Sequence, residues 1–207
     1  GVQTCALPIF EAELIRDSVL RASGLLSPKI GGPSVYPPQP ASITQEGVYG
    51  GKAWTESTGE DRYRRGLYTF AKRSAPYAMF NTFDGPSGEA CIARRDVSNT
   101  PLQALTLLND TVILEAAQAL GRQLAAQPGS IESRVENLFR RCLTRPPSAD
   151  ERSQLVKFFA TQRARFVSGE LRAADFAGKG DGDANDRAAW TALARALLNL
   201  DEMIAKG

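Results

Sequence analysis

Apolar residues recur every three or four positions in several stretches of this chain, and each such stretch reads as an amphipathic helix. Between Glu11 and Ser23, Leu14, Ile15, Val19 and Leu20 share one face, with Glu13, Arg16, Asp17 and Arg21 between them and Gly24 as the stop. Residues 60–73 repeat the pattern through Tyr63, Leu67 and Phe70, leaving Arg62, Arg65 and Lys72 for water, and Pro76 closes the segment. Residues 27–51 follow no such period. Pro28, Gly31, Gly32, Pro33, Pro37, Pro38 and Pro40 forbid a continuous helix or a central strand, which predicts a long loop anchored by Val35, Tyr36 and Ile43. Residues 77–95 combine Tyr77, Phe80 and Phe83 with a Gly85-Pro86-Ser87-Gly88 turn, and are predicted to be irregular.

The second half carries clear helix punctuation. Thr100 and Pro101 form an N-cap and first helical residue ahead of Leu102, Leu105 and Leu108. Asn109 and Asp110 interrupt that helix, and Asp110 caps the next one through Val112, Ile113, Ala116, Ala117 and Leu120, which ends at Pro128-Gly129. Ser130 caps a helix bearing Ile131, Val135, Leu138, Phe139 and Cys142, stopped by Pro146-Pro147. Ser148 and Glu151 are spaced as a capping box, in which each side chain satisfies an otherwise orphaned backbone donor. The helix behind it carries Leu155, Phe158, Phe159 and Phe166. A polar, glycine-containing loop over 169–186 is predicted next, then a final helix with Trp190, Leu193, Ala194, Leu197, Leu198 and Ile204. The fold class expected is mainly α. It comprises a helical bundle over 98–207, preceded over 10–97 by a loop-rich part with short helices, the long Pro/Gly-rich loop and the irregular aromatic segment.

Composition narrows the function classes. In 207 residues, 43% hydrophobic and 23% charged, no run approaches the ~18–20 apolar positions of a membrane-spanning helix. Twenty-five basic residues face 23 acidic ones, and a net charge of +2 gives no field to draw the chain to nucleic acid. Residues 1–9, GVQTCALPI, have neither period nor charge and match one reading frame of a sequencing-adapter oligonucleotide. They are read as an adapter artefact joined to a gene truncated at its N-terminus, which removes Cys5 from the cysteine count and leaves any export signal upstream.

The chain contains no histidine. Within these residues this excludes Ser-His-Asp and Cys-His nucleophilic sites, histidine-ligated zinc and attached haem. Cys91 and Cys142 have no Cys-x-x-Cys spacing and read as small apolar residues, with a disulfide between them left open. Met79 and Met203 could ligate haem iron but read as core residues. Asp181, Asp183 and Asn185 have the spacing of the first calcium-loop ligands. Asp186 replaces the required glycine and Ala192 the bidentate glutamate, so no metal site is expected.

The chemistry that remains is a polar cluster. Arg62, Arg65, Arg94 and Arg95, with Arg64 beside them, flank the aromatic segment, and with Asp84 and Glu89 they could bind an anionic group such as a carboxylated or sulfated sugar. The reading preferred over ligand binding is that they are Arg–carboxylate ties that hold the irregular segment on the helices. Asp84 with Glu56 or Glu89 is the one carboxylate set suggestive of glycoside hydrolysis.

Three stretches carry a family resemblance: Ser57-Thr58-Gly59-Glu60-Asp61-Arg62-Tyr63-Arg64-Arg65 with Leu67-Tyr68-Thr69-Phe70; Thr82-Phe83-Asp84-Gly85-Pro86-Ser87 with Cys91, Arg94-Arg95 and Asn99 through Leu105 to Leu108-Asn109-Asp110; and Ala194 through Glu202. Together they resemble the planctomycete domain of unknown function, of DUF1553 type, found C-terminal in proteins with a planctomycete cytochrome C domain. Gly85 stands where alanine is expected, and Thr111 where proline often follows the Asn-Asp pair. The resemblance supplies no catalytic residues. It implies an extracytoplasmic protein with haem c in an upstream domain and no cofactor in this part, whose partners are its own upstream domains or a polysaccharide. The function expected is an accessory helical module making interdomain or partner contacts. The alternative is a hydrolase or binding site for an acidic polysaccharide at Asp84 and its arginines.

Overall fold

The computed structural model describes residues 9–40, 54–73, 75–86, 88, 91, 93–96 and 98–205. Helix α1, Ala12–Ser23, buries Ile15, Val19, Leu20 and Ala22 and ends where Gly24 turns left-handed, its N–H bonding back to the carbonyls of Leu20 and Arg21. Immediately before it, Phe10 N–H donates to the Ile204 carbonyl at 2.8 Å and Ile9 bridges Ala205. Ile9, the last residue of the segment read as adapter sequence, is therefore buried in the core.

Residues 60–73 are not the continuous helix that their spacing predicts. They form two short 3-10 turns, Gly59–Tyr63 and Gly66–Tyr68, separated by extended backbone at Arg64 and Arg65. The physical reason is Arg64. Its buried guanidinium lies 3.7 Å from the centroid of the Tyr68 ring and donates to the carbonyls of Lys29, Gly31 and Pro33, contacts made from extended backbone. One arginine thus satisfies three carbonyls of the described part of the Pro/Gly-rich loop. Beyond it Val35 bridges Thr69, and Tyr36, Trp54, Phe70, Tyr77 and Phe80 form a continuous aromatic cluster. Ile43 lies outside the described residues. A short helix α2, Ala78–Thr82, interrupts the segment expected to be irregular.

The bundle follows as α3 (Pro101–Asn109), α4 (Thr111–Ala126), α5 (Ile131–Leu143) and α6 (Ala149–Val167). The predicted caps act as expected. Thr100 with Gln103 and Ser148 with Glu151 form capping boxes, Asp110 accepts from Val112 and Ile113 N–H, and Ser130 accepts from Ser133 N–H. The polar stretch 169–186 holds a short helix α7, Ala173–Ala177, whose Phe176 packs edge-on to Phe166. Helix α8, Ala184–Leu198, is buried nearly all round, from Ala188, Ala189 and Trp190 to Leu193, Ala194 and Leu197, because it lies between α4, α6 and α7. Trp190 sits 4.1 Å centroid to centroid from Phe159 of α6. The last predicted helix breaks at Asn199 and Leu200 and resumes as α9, Asp201–Ile204, which returns the chain to Phe10. No helix among the described residues is long and apolar enough to cross a membrane.

Candidate functional site

Of the five polar residues singled out, the fold brings three together. Asp84, Arg94 and Arg95 line one hollow of about 590 Å³ with Glu13, Phe10 and Ser98. Asp84 terminates α2 in a left-handed conformation, φ 55°, and Gly85 N–H closes the turn on the Phe80 carbonyl at 2.7 Å. A side chain at position 85 would meet that carbonyl at 2.8 Å, so glycine is what this tight turn admits. One oxygen of Asp84 accepts both the N–H and the hydroxyl of Ser98, at 2.8 and 2.7 Å. Buried Gln103 completes the knot: its Oε1 accepts from Thr100 N–H, and its Nε2 donates to the Thr82 carbonyl and the Ser98 hydroxyl. Arg95 forms a two-pronged pair with Glu13 of α1, at 2.8 and 3.0 Å, and this pair raises its pKa. Arg94 is exposed and makes no ion pair among the described residues.

Arg62 and Arg65 lie elsewhere. Arg62 grips Glu115 of α4 through Nε and Nη2, at 3.1 and 2.7 Å, and reaches Glu56 with Nη1 at 3.0 Å; these acceptors raise its pKa against the opposing cost of burial. Arg65 pairs with Asp17 of α1, whose other oxygen accepts Gly66 N–H. Glu56 therefore faces Arg62 and lines a different hollow from Asp84, while Glu89 and Ser87 lie outside the described residues. The calcium-like loop is engaged by two arginines of the chain. Arg187 donates to the carbonyls of Asp181 and Gly182 at 2.6 and 2.7 Å, Asp183 caps α8, and Arg163 bridges Asp183 and Asp186. Met79 and Met203 are both buried in the core.

Sequence reasoning missed the partners. Glu13 and Asp17, one helical turn apart on α1, receive Arg95 and Arg65, and that i,i+4 carboxylate spacing was the visible signal. It also missed a polar pocket behind Arg62. There Asp110, whose carboxyl is pushed up by burial, shares a hollow of about 440 Å³ with Gln39, Glu56 and Arg62. Arg16 acts on the Asp110 carboxylate through charge, and Asp110 on the Tyr77 phenol. Both Arg16 and Tyr77 are buried; among the described residues Tyr77 Oη and Arg16 Nε and Nη1 have no hydrogen-bond partner, and Arg16 Nη2 donates to the Arg62 carbonyl at 2.9 Å. No spacing rule announces such a pocket, because its members come from five separate segments.

A third hollow, about 600 Å³, is mainly apolar and lies between α1 and residues 66–88. Among the described residues no cluster of three or more His, Cys, Asp or Glu side chains is placed to hold a metal ion. No curated protein and no solved structure matches the chain. Residues 8–159, most of the chain and both sides of the Asp84–Ser98–Gln103 knot, match the family described as "PSD1: Protein of unknown function (DUF1553)", and the chain belongs to that family.

Proposed function

We propose that this chain is an accessory helical module of an exported, cytochrome-linked multidomain protein, and that it acts by contacting neighbouring domains or a partner. One observation carries the reading: most of the charged side chains that could have formed a reactive site are engaged in ties between the loop-rich part and the helices. Arg62 holds Glu115, Arg65 holds Asp17, Arg95 holds Glu13 and Arg64 holds the loop carbonyls. Three of these ties reach helical residues and the fourth holds the loop, while Ile30, Leu67, Leu102 and Leu105 stay exposed as apolar contact area. The extracytoplasmic location and the upstream haem domain come from the family resemblance. Recovering the full-length gene tests that part, through an export signal and a Cys-x-x-Cys-His. Co-expression of the module with its upstream domains, followed by sedimentation, tests the contact: a complex is expected, and independent sedimentation of the parts would sink the reading.

The Asp84, Arg94 and Arg95 hollow favours a second reading, binding or hydrolysis of an acidic polysaccharide, because Arg94 is exposed there beside two anchored neighbours. Arg94→Ala is the informative variant, since Arg95→Ala would also release Glu13. Binding of uronic-acid or sulfated glycans that Arg94→Ala abolishes is expected on this reading. Equal behaviour of both forms on a glycan array would remove it.

A further inference from the structure

We infer that the apolar groove between α1 and residues 66–88 is a docking site for an acidic, apolar polypeptide segment of a partner protein. The proposal rests on the reading of the chain as a contact module and names the surface and the chemistry of that contact. The groove encloses about 600 Å³, within the range of preformed ligand sites. Phe70, Tyr77 and Phe80 belong to the aromatic cluster and line it, and Leu14 and Leu67 form its lip. Leu67 is 72% exposed and Leu14 41%, so apolar surface continues out of the groove.

The walls are fixed before anything binds. A side chain at Gly66 would meet the backbone of Glu13 at 2.9 Å, so this turn lies hard against α1, and its N–H is held by Asp17 at 2.6 Å. On the far side Gly85 is locked to the Phe80 carbonyl. A groove whose walls do not have to be ordered on binding loses little affinity to conformational entropy.

Charge decides the occupant. The carboxylates that reach the groove are already engaged, Glu13 by Arg95 and Asp17 by Arg65 and Gly66 N–H. Lys72 and Arg73 on its rim make no ion pair among the described residues. The rim is therefore cationic around an aromatic and aliphatic floor. The complement is a segment that places a Leu or Phe in the groove and carboxylates at its edge, with charge setting orientation and association rate and the apolar side chain giving most of the affinity.

The test uses the whole chain and two capped octapeptides with the same Leu-Phe centre, one flanked by glutamates and the other by lysines, titrated by calorimetry at low and high salt. The glutamate peptide is expected to bind about tenfold or more tightly than the lysine peptide and to weaken as salt rises. Lys72→Glu with Arg73→Glu, and separately Leu67→Asp, should each lower its affinity by about tenfold or more. Leu67 and Arg73 are exposed and Lys72 is half-buried without an ion-pair partner among the described residues, so thermal denaturation of the variants should stay close to the parent. Equal affinity for the two peptides, absence of saturable binding, or variants that bind as the parent does would each overturn the proposal. Sedimentation with the upstream domains separates its failure from that of the contact reading. If Leu67→Asp still forms that complex, the groove is not the contact surface although the module reading stands. If the parent forms no complex but binds the glutamate peptide, the groove stands and the upstream domains are removed as its partner.

Discussion

A methyl group at Gly121 would stand 3.0 Å from the backbone nitrogen of Thr191, and nearer still to that residue's hydroxyl, so α4 and α8 cross with no room for a side chain. The Arg187 carbonyl is equally close, at 3.0 Å. Because two of these obstacles are backbone, rotamer changes cannot relieve them. Gly121→Ala is expected to cost about 1–3 kcal/mol, the usual range for overpacking a core, and to lower the melting temperature by several degrees. Adding Thr191→Ala removes the nearest obstacle, a buried hydroxyl without a hydrogen-bond partner, and should restore part of the loss but not all. Thermal denaturation of the two single variants and the double variant checks this. An unchanged melting temperature for Gly121→Ala would mean that the helices separate freely here, contrary to the packing described.

The Arg62–Glu115 pair ties the loop-rich part to helix α4 of the bundle. Both side chains are mostly shielded from water, at 20% and 26% exposure, and the guanidinium meets the carboxylate with two parallel bonds. Removing Arg62 leaves Glu115 half-buried without its partner. Arg62→Ala is expected to cost about 1–3 kcal/mol in denaturant unfolding. Arg62→Lys should recover little, since an ammonium cannot reproduce the planar fork. Full recovery by lysine would reduce the pair to simple charge.

These two relationships mark where the sequence is legible. Helix ends could be read because caps are local: Thr100, Asp110, Ser130 and Ser148 each satisfy backbone donors within three residues, and a three-residue spacing is visible in a string. The segment 60–73 was misread because its conformation is set from outside, by loop carbonyls some thirty residues earlier that draw Arg64 off any helix. The candidate site divides in the same way. Asp84 and the Arg94-Arg95 pair do share a hollow, but although the Glu13 and Asp17 spacing marks acceptors on α1, no local pattern assigns Arg65 to Asp17 or Arg62 to Glu115, 48 and 53 positions away. Composition identified the right residue types, and tertiary pairing decided their use.

Cys91 and Cys142 should differ sharply in reactivity. Cys142 is buried in the core, and burial pushes its thiol up to about 12, so almost no thiolate exists near neutral pH. Cys91 is exposed, and the two are not bonded. Brief treatment with iodoacetamide, followed by peptide mass mapping, is expected to label Cys91 in the folded protein and Cys142 only after denaturation. Equal labelling of both under native conditions would contradict the burial of Cys142.

The capping box of α6 should make stability depend on acid in a defined window. Glu151 accepts the Ser148 N–H at 2.7 Å and both terminal nitrogens of Arg145, at 3.0 and 2.7 Å, and these bonds hold its carboxyl down at about 2 against an ordinary 4.5. All of them favour the charged form, so the unfolded chain takes up this proton at higher pH than the folded one does. The stabilisation from Glu151 is therefore fully present above about 4.5 and disappears as pH falls towards about 2. Glu151→Gln keeps an oxygen for Ser148 but cannot ion-pair with Arg145. The melting-temperature gap between parent and variant should be largest near neutral pH, narrow below the ordinary carboxylate range, and close at strong acidity. Since the pair lies at the surface, the gap should also shrink as salt is added. Arg145 also binds Glu202 at the start of α9, at 2.6 and 2.8 Å, which ties the capping box to that helix. A gap independent of pH would show that Glu151 acts through helix capping alone and that its pairing with Arg145 adds nothing to stability.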